Sequence, residues 1–194
     1  MNFSTLFRIG ENLNLDRKTL IYLRWIAILG QLTAVNFVFF YLKLDFPIIL
    51  THIVISIGLI TNLFLQFRIK SILLRDLYAS FFLIYDLCQL SVLLYLTGGI
   101  YNPFSILMIV PAIVSSTFLS MGTTIILVMF TVFFLFVLTK FHYPFPGLHD
   151  NSFIFPDLYV IGFILSIMIG LLFLSYFGIR FSGESKRRSD AVNK

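Results

Sequence analysis

Six long apolar stretches constrain this chain more than any other feature of its sequence. Each has about 18 or more largely uncharged residues, enough for a helix that crosses the hydrocarbon of a bilayer. They lie near residues 20–41, 47–67, 77–97, 104–120, 123–140 and 157–179. Because 59% of the 194 residues are hydrophobic and 12% are charged, a water-soluble domain could not bury them all. The predicted fold is all-α: a polytopic membrane protein, a bundle of six transmembrane helices.

The placement of lysine and arginine predicts the orientation of that bundle. If the N-terminus is cytoplasmic, every lysine and arginine except Lys43 and Lys140 falls on or near the cytoplasmic side, as the positive-inside rule expects. The net charge of +5 is then explained by topology and lipid head groups, and no nucleic-acid partner is predicted. Both termini are predicted to be cytoplasmic.

Three segments follow from this topology. Residues 1–18 are predicted to form a cytoplasmic N-terminal segment, and residues 19–180 the six-helix domain. Residues 181–194 are predicted to begin a cytoplasmic connector, which can continue the last helix although glycines weaken it. The first span lacks a cleavage site and is expected to stay attached. Short connections predict antiparallel neighbours packed as one bundle.

The loop Gly98-Gly99-Ile100-Tyr101-Asn102-Pro103-Phe104 follows the third predicted span. Glycines can adopt backbone angles closed to other residues, and Pro103 pushes Asn102 to an extended shape. The loop can therefore offer N–H and amide groups to a carbonyl, with two aromatic rings beside lipid. A quinone head group needs such a site. An ordinary turn explains the same spacing. Pro111, on the next helix, is predicted to kink that span.

Three polar residues are predicted to lie at similar depth inside the bundle. Asp86 falls near the middle of its span, where an unpaired charge is costly. Gln89 lies one turn further along, and Gln31 lies deep in the first span. A neutral Asp86 could donate a hydrogen bond to Gln31. Either a structural hydrogen bond between helices or proton exchange coupled to a redox ligand would explain this carboxyl group.

The remaining polar residues have simpler interpretations. Arg24 and Trp25 are expected to anchor the first span at the cytoplasmic boundary. His52, with Asn36 at related depth, is expected to be a packing histidine rather than a ligand. The only cysteine, Cys88, lies inside the third span, so no intrachain disulfide is possible.

Two further patterns yield weaker predictions. Gly162, Ser166 and Gly170 share one face of the last span; packing within the bundle is favoured, and contact with a second copy is the alternative. The loop residues His142, His149 and Asp150 match no common zinc spacing, so no metal site is predicted. The sequence contains no recognisable catalytic motif.

The chain resembles the membrane-embedded sensor domain of the RegB/PrrB/ActS family of redox-sensing histidine kinases. The family heptapeptide GGxxNPF is matched after the third span by Gly98, Gly99, Asn102, Pro103 and Phe104. Further similarity surrounds it, in Asp86-Leu87, Gln89-Leu90, Leu94-Tyr95-Leu96-Thr97, Arg24-Trp25 and Gly30-Gln31. The resemblance extends over nearly all of residues 17–180.

This resemblance implies a redox-sensing input domain in the bacterial inner membrane, binding ubiquinone or a similar quinone. The expected contacts are Gly98, Gly99, Tyr101, Asn102, Pro103 and Phe104, with Asp86, Gln31 and Gln89 as a possible proton-linked second layer. It also implies a homodimer, a downstream kinase domain and a response-regulator partner. The histidines His52, His142 and His149 provide no cytoplasmic phosphoacceptor, and the ATP-binding half and the cytoplasmic redox-active cysteine of the family are missing. Enzyme activity therefore stays uncertain.

Two functions from other classes remain open. A small transporter or channel for a hydrophobic or cationic solute would need polar residues along a path through several spans. A quinone-reducing membrane subunit would need haem or iron–sulfur ligands, and the sequence has neither paired intramembrane histidines nor a cysteine cluster.

Overall fold

The computed structural model describes residues 15–69, 73–74, 76–144 and 156–192. Their helices are α1 (Arg17–Asn36), α2 (Ile48–Arg68), α3 (Asp76–Leu96), α4 (Val110–Phe118), α5 (Met121–Lys140) and α6 (Asp157–Val192). Two short strands, β1 (Leu15–Asp16) and β2 (Leu73–Leu74), pair antiparallel. Of the described helices, five are long and apolar enough to cross a membrane: α2, α3, α5, α1 with its extension to Tyr41, and α6 as far as Phe181. The all-α prediction is confirmed.

The first helix switches from α-helical to π-helical hydrogen bonding near its C-terminal end. Residues Phe37–Tyr41 continue α1 as a π-helix, in which the Leu42 N–H donates to the Phe37 carbonyl at 3.2 Å. The rings of Phe37 and Tyr41 stack with centroids 4.9 Å apart. Such segments are rare and occur mostly as single turns inserted in α-helices.

The fourth predicted span is shorter than expected. Residues Pro103–Ile109 form a 3₁₀-helix, and only Val110–Phe118 is α-helical. Pro111 lies in the first turn of α4, where its missing N–H costs no helical hydrogen bond, so it starts the α-helix and does not kink a helix interior. The count of six crossings stays a prediction.

Hydrogen bonds define two ends of the bundle. At one end, called here the sheet end, β1 and β2 pair and the Asp76 carboxylate accepts from the Ser120 N–H at 2.9 Å and the Thr123 hydroxyl at 2.7 Å. At the opposite end, the loop end, the Tyr143 N–H donates to the Tyr95 carbonyl at 2.8 Å. Helices α3 and α5 therefore run parallel, from the sheet end to the loop end.

Helix α6 packs mainly against α4. Gly178 is buried against Ser116, and a side chain at position 178 would overlap the Ser116 hydroxyl. The helix continues without a break to Val192, so the expectation that residues after 180 extend the last helix is confirmed.

The small-residue face of α6 points away from the bundle. Gly162 and Ser166 are exposed, and a Cβ built at Gly162 or Gly170 would have no described atom within 4 Å. The favoured prediction, packing within the bundle, is therefore wrong. Contact with a second copy stays a prediction.

Candidate quinone site and buried polar cluster

The backbone of the 98–104 loop has the unusual angles that its glycines predict. Gly98 has φ 108° and Gly99 has φ 61°, and both residues are buried. Their carbonyls accept from the N–H groups of Tyr101 and Asn102, each at 3.2 Å. Among the described hydrogen bonds, none uses the N–H of Gly98 or Gly99. Two backbone donors at the loop end of α3 therefore have no described acceptor, although both lie in the buried part of the loop.

The Asn102 amide holds the loop together. Its nitrogen donates to the Thr97 hydroxyl at 2.7 Å and to the Thr97 carbonyl at 3.2 Å. Its oxygen accepts from the Phe104 N–H at 2.9 Å and so caps the following 3₁₀-helix. Both hydrogens of the amide nitrogen are already bonded to Thr97, so a ligand that accepts from this nitrogen must displace one of these bonds.

The segment after α5 covers the glycines. A Cβ on Gly99 would lie 2.5 Å from the His142 Cβ and 2.6 Å from the Leu138 carbonyl oxygen. The His142 and Tyr101 rings meet edge to face with centroids 5.3 Å apart. The loop thus forms one packed unit with residues 138–143, which the sequence pattern did not reveal.

Aromatic side chains of the loop region reach the outer surface of the bundle. Phe104 is 44% exposed, whereas Tyr101 is half-buried. Tyr95 contacts Tyr143 edge to face with ring centroids 5.5 Å apart. A flat apolar ligand can therefore approach Phe104 from outside, while Tyr101 belongs to the packing against His142. His149 and Asp150 lie outside the described residues.

Arg24 is the polar residue that sequence reasoning placed wrongly. It is buried, with 4% of its surface exposed, and its Nε donates to an Asp86 carboxylate oxygen at 2.9 Å. Its Nη2 donates to the Thr61 hydroxyl at 2.8 Å, and the rings of Phe82 and Tyr85 lie 5.2 and 5.6 Å from its Cζ. Arg24 therefore joins α1, α2 and α3 inside the bundle. It does not anchor α1 at a membrane boundary.

The predicted partner of Asp86 is also wrong. Gln31 accepts from the Gln89 amide at 3.2 Å, whereas Asp86 pairs with Arg24. Gly58 of α2 leaves room for Gln89, because a Cβ there would overlap the glutamine amide. The Gln31–Gln89 pair forms a second polar layer across the same three helices. The sequence did contain a signal for this ion pair. Arg24 lies two turns into one apolar helix, and Asp86 lies inside another.

Asp76 was not singled out by the sequence analysis. Its carboxylate accepts from Ser120 and Thr123 and joins the start of α3 to the α4–α5 turn. An acidic residue at a helix start, with serine and threonine at the start of another helix, is a weak signal because such residues usually cap their own helix.

Apolar helices around paired buried polar groups define an α-helical membrane domain. No protein-family model and no solved structure matches the chain. It is 36% identical over 176 residues to the sensor histidine kinase RegB of Cereibacter sphaeroides, which covers 90% of this chain and 38% of that protein. The chain is a sensor domain of the RegB/PrrB family, and it spans less than half the length of the relative it matches.

Proposed function

We propose that this chain is the membrane-embedded input domain of a redox-sensing histidine kinase and that it binds ubiquinone or a related quinone at the 98–104 loop. The observation that carries the proposal is the similarity to RegB over nine-tenths of the chain. The family motif falls on a loop that has two unused backbone donors and an exposed aromatic ring. The proposed location is the bacterial inner membrane, with several crossings and cytoplasmic termini.

The residues of the loop fit a quinone head group in a specific way. The N–H groups of Gly98 and Gly99 can donate to one carbonyl oxygen, and Phe104 offers a ring face at the bundle surface. Pro103 holds the chain extended before the 3₁₀-helix and keeps Phe104 beside the loop. Asn102 can donate to the ligand when it releases Thr97. Tyr101 supports the loop from the side of His142.

Ligand binding can act on the bundle through α3, because the loop follows that helix directly. Asp86, Gln89 and their partners lie on α3 and tie it to α1 and α2. A ligand that favours one position of α3 shifts the helix arrangement only by its difference in affinity between the two states. In this proposal the Arg24–Asp86 and Gln31–Gln89 pairs form the second layer. Helix α6 then carries the change toward a downstream kinase domain and its response regulator.

The channel alternative gains no support from the described residues. The buried Arg24 and Gln89 and the half-buried Thr61, Asp86 and Gln31 bond to each other across helices, and these bonds use the polar groups that a solute path would need.

Quinone binding to the purified chain in lipid nanodiscs tests the proposal. We expect Asn102→Ala to weaken binding about tenfold, since a net hydrogen bond contributes about 1 kcal/mol and about 1.4 kcal/mol corresponds to a tenfold change in affinity. Thr97→Val is the matched control, because it removes the hydroxyl that the Asn102 amide bonds at 2.7 Å but keeps the amide. It should retain or strengthen binding. Unchanged affinity in Asn102→Ala would move the ligand away from this amide, and no saturable binding by the wild type would refute the proposal.

A further inference from the structure

A groove lies on the outside of the bundle where the end of α1 meets the start of α2. Its volume is about 580 Å³, and isoleucine and phenylalanine side chains form most of its walls. Ile49, Ile53 and Ile60 at its mouth are 50 to 73% exposed, so it opens sideways toward the surroundings of the bundle. Three polar residues line it, Asn36, His52 and Ser56. No residue of the 98–104 loop is among its lining residues.

Hydrogen bonds fix the proton on the His52 ring. Nδ1 lies 2.9 Å from the Ile48 carbonyl oxygen, which can only accept, so Nδ1 carries the hydrogen. The Asn36 amide nitrogen is fixed in the same way, because it donates to the Leu32 carbonyl at 2.7 Å. The same nitrogen lies 3.4 Å from His52 Nε2. When Nδ1 alone carries the hydrogen, Nε2 is an acceptor, and among the described residues its lone pair has only this long, weak donor.

This pair of groups selects a hydroxyl over a carbonyl. A hydroxyl placed between them donates its proton to Nε2 and accepts from the Asn36 amide, so both protein groups gain a short hydrogen bond. A carbonyl oxygen can accept from Asn36, but it has no proton for Nε2 and would face the lone pair of that nitrogen. The apolar walls and the lateral opening suit a ring and a hydrocarbon tail that enter from lipid.

We propose that this groove is a second ligand site, which binds the reduced, hydroquinone form of a lipid-soluble quinone in preference to the oxidised form. The proposal rests on the proposed function in taking the quinone pool as the ligand source, but it concerns different residues. Two sites with different preferences would let the domain respond to the ratio of the two forms.

Equilibrium binding of decylubiquinol and decylubiquinone to the full chain in nanodiscs tests this. We expect His52→Leu to weaken quinol binding about tenfold and to leave quinone binding within twofold. His52→Gln, which restores a side-chain acceptor, should recover part of the loss. Ile57→Trp adds bulk to the groove while His52 is kept, and it should also weaken quinol binding. Phe133→Leu, at an exposed position of α5 (58% exposed) outside both the groove and the 98–104 loop, is the control and should leave quinol binding unchanged.

The outcomes separate the two sites. Unchanged quinol affinity in both His52→Leu and Ile57→Trp overturns the groove site, and the loop site then stands if Asn102→Ala still weakens quinone binding. Loss in His52→Leu with no effect of Asn102→Ala supports the groove and removes the Asn102 contact. If the wild-type chain binds neither form, both proposals fail. Thermal unfolding of each variant shows whether a loss of binding reflects a loss of folding.

Discussion

At the scale of single residues, Arg24 shows how an ionic side chain can stabilise an apolar bundle. Its guanidinium group is bonded to Asp86 and Thr61 and is flanked by two rings. An arginine in this position can meet a carboxylate and a hydroxyl on different helices because its donors point in fixed directions. The pair is therefore expected to fix the relative positions of α1, α2 and α3.

Removing one member of this pair should be far more damaging than removing both. Arg24→Met leaves a half-buried carboxylate and Asp86→Leu leaves a buried guanidinium without its partner, and each should lower the free energy of unfolding by about 3 kcal/mol. The double variant should recover most of this loss. Thermal unfolding in mild detergent measures the effect, with Thr33→Val on the exposed face of α1 as control. Additive losses in the double variant would contradict the coupling.

At the scale of elements, the segment Pro103–Phe118 decides the topology. A 3₁₀-helix rises about 2.0 Å per residue and an α-helix about 1.5 Å, so the segment reaches roughly 27 Å. It begins beside the loop end of α3 and ends at Phe118, two residues before Ser120, whose N–H donates to Asp76 at the start of α3. A segment of only 16 residues can therefore return along α3, because its first seven residues form a 3₁₀-helix, which rises further per residue than an α-helix.

Cysteine accessibility tests whether this segment crosses the membrane. In a Cys88→Ser background, we expect Gly122→Cys to react with an impermeant thiol reagent only from the cytoplasmic side. Tyr143→Cys should react only from the outside, since the two positions lie at opposite ends of α5. Leu42→Cys, in the connection between α1 and α2, provides the reference for the outer side. Labelling of Gly122→Cys and Leu42→Cys from the same side would show that Pro103–Phe118 re-enters without crossing.

At the scale of the whole molecule, α6 presents an exposed face that the rest of the bundle does not use. Gly162, Ser166 and Gly170 lie on this face, and small residues let another helix approach closely. The same helix leaves the bundle at the sheet end and continues to Val192. A second copy that packs on this face would bring two α6 helices together at the point where they leave the bundle.

Disulfide cross-linking tests this dimer. In a Cys88→Ser background, Gly162→Cys and Ser166→Cys should cross-link between copies in native membranes at mild oxidant concentrations. Phe136→Cys, which is on the exposed surface of α5 (56% exposed), is the matched control and should cross-link much less. Equal cross-linking at all three positions would indicate random collision and contradict a dimer through α6.

The sequence alone predicted the helical class, because long apolar runs have no other stable form in lipid. It also predicted the positions of the long helices and that Gly98 and Gly99 can adopt backbone angles closed to other residues, since these depend on local composition and on the absence of a side chain. Tertiary structure decided the partners of Arg24 and Asp86 and the outward direction of the α6 glycine face. Each depends on which helices become neighbours, and apolar helices of similar length carry little sequence information about that choice.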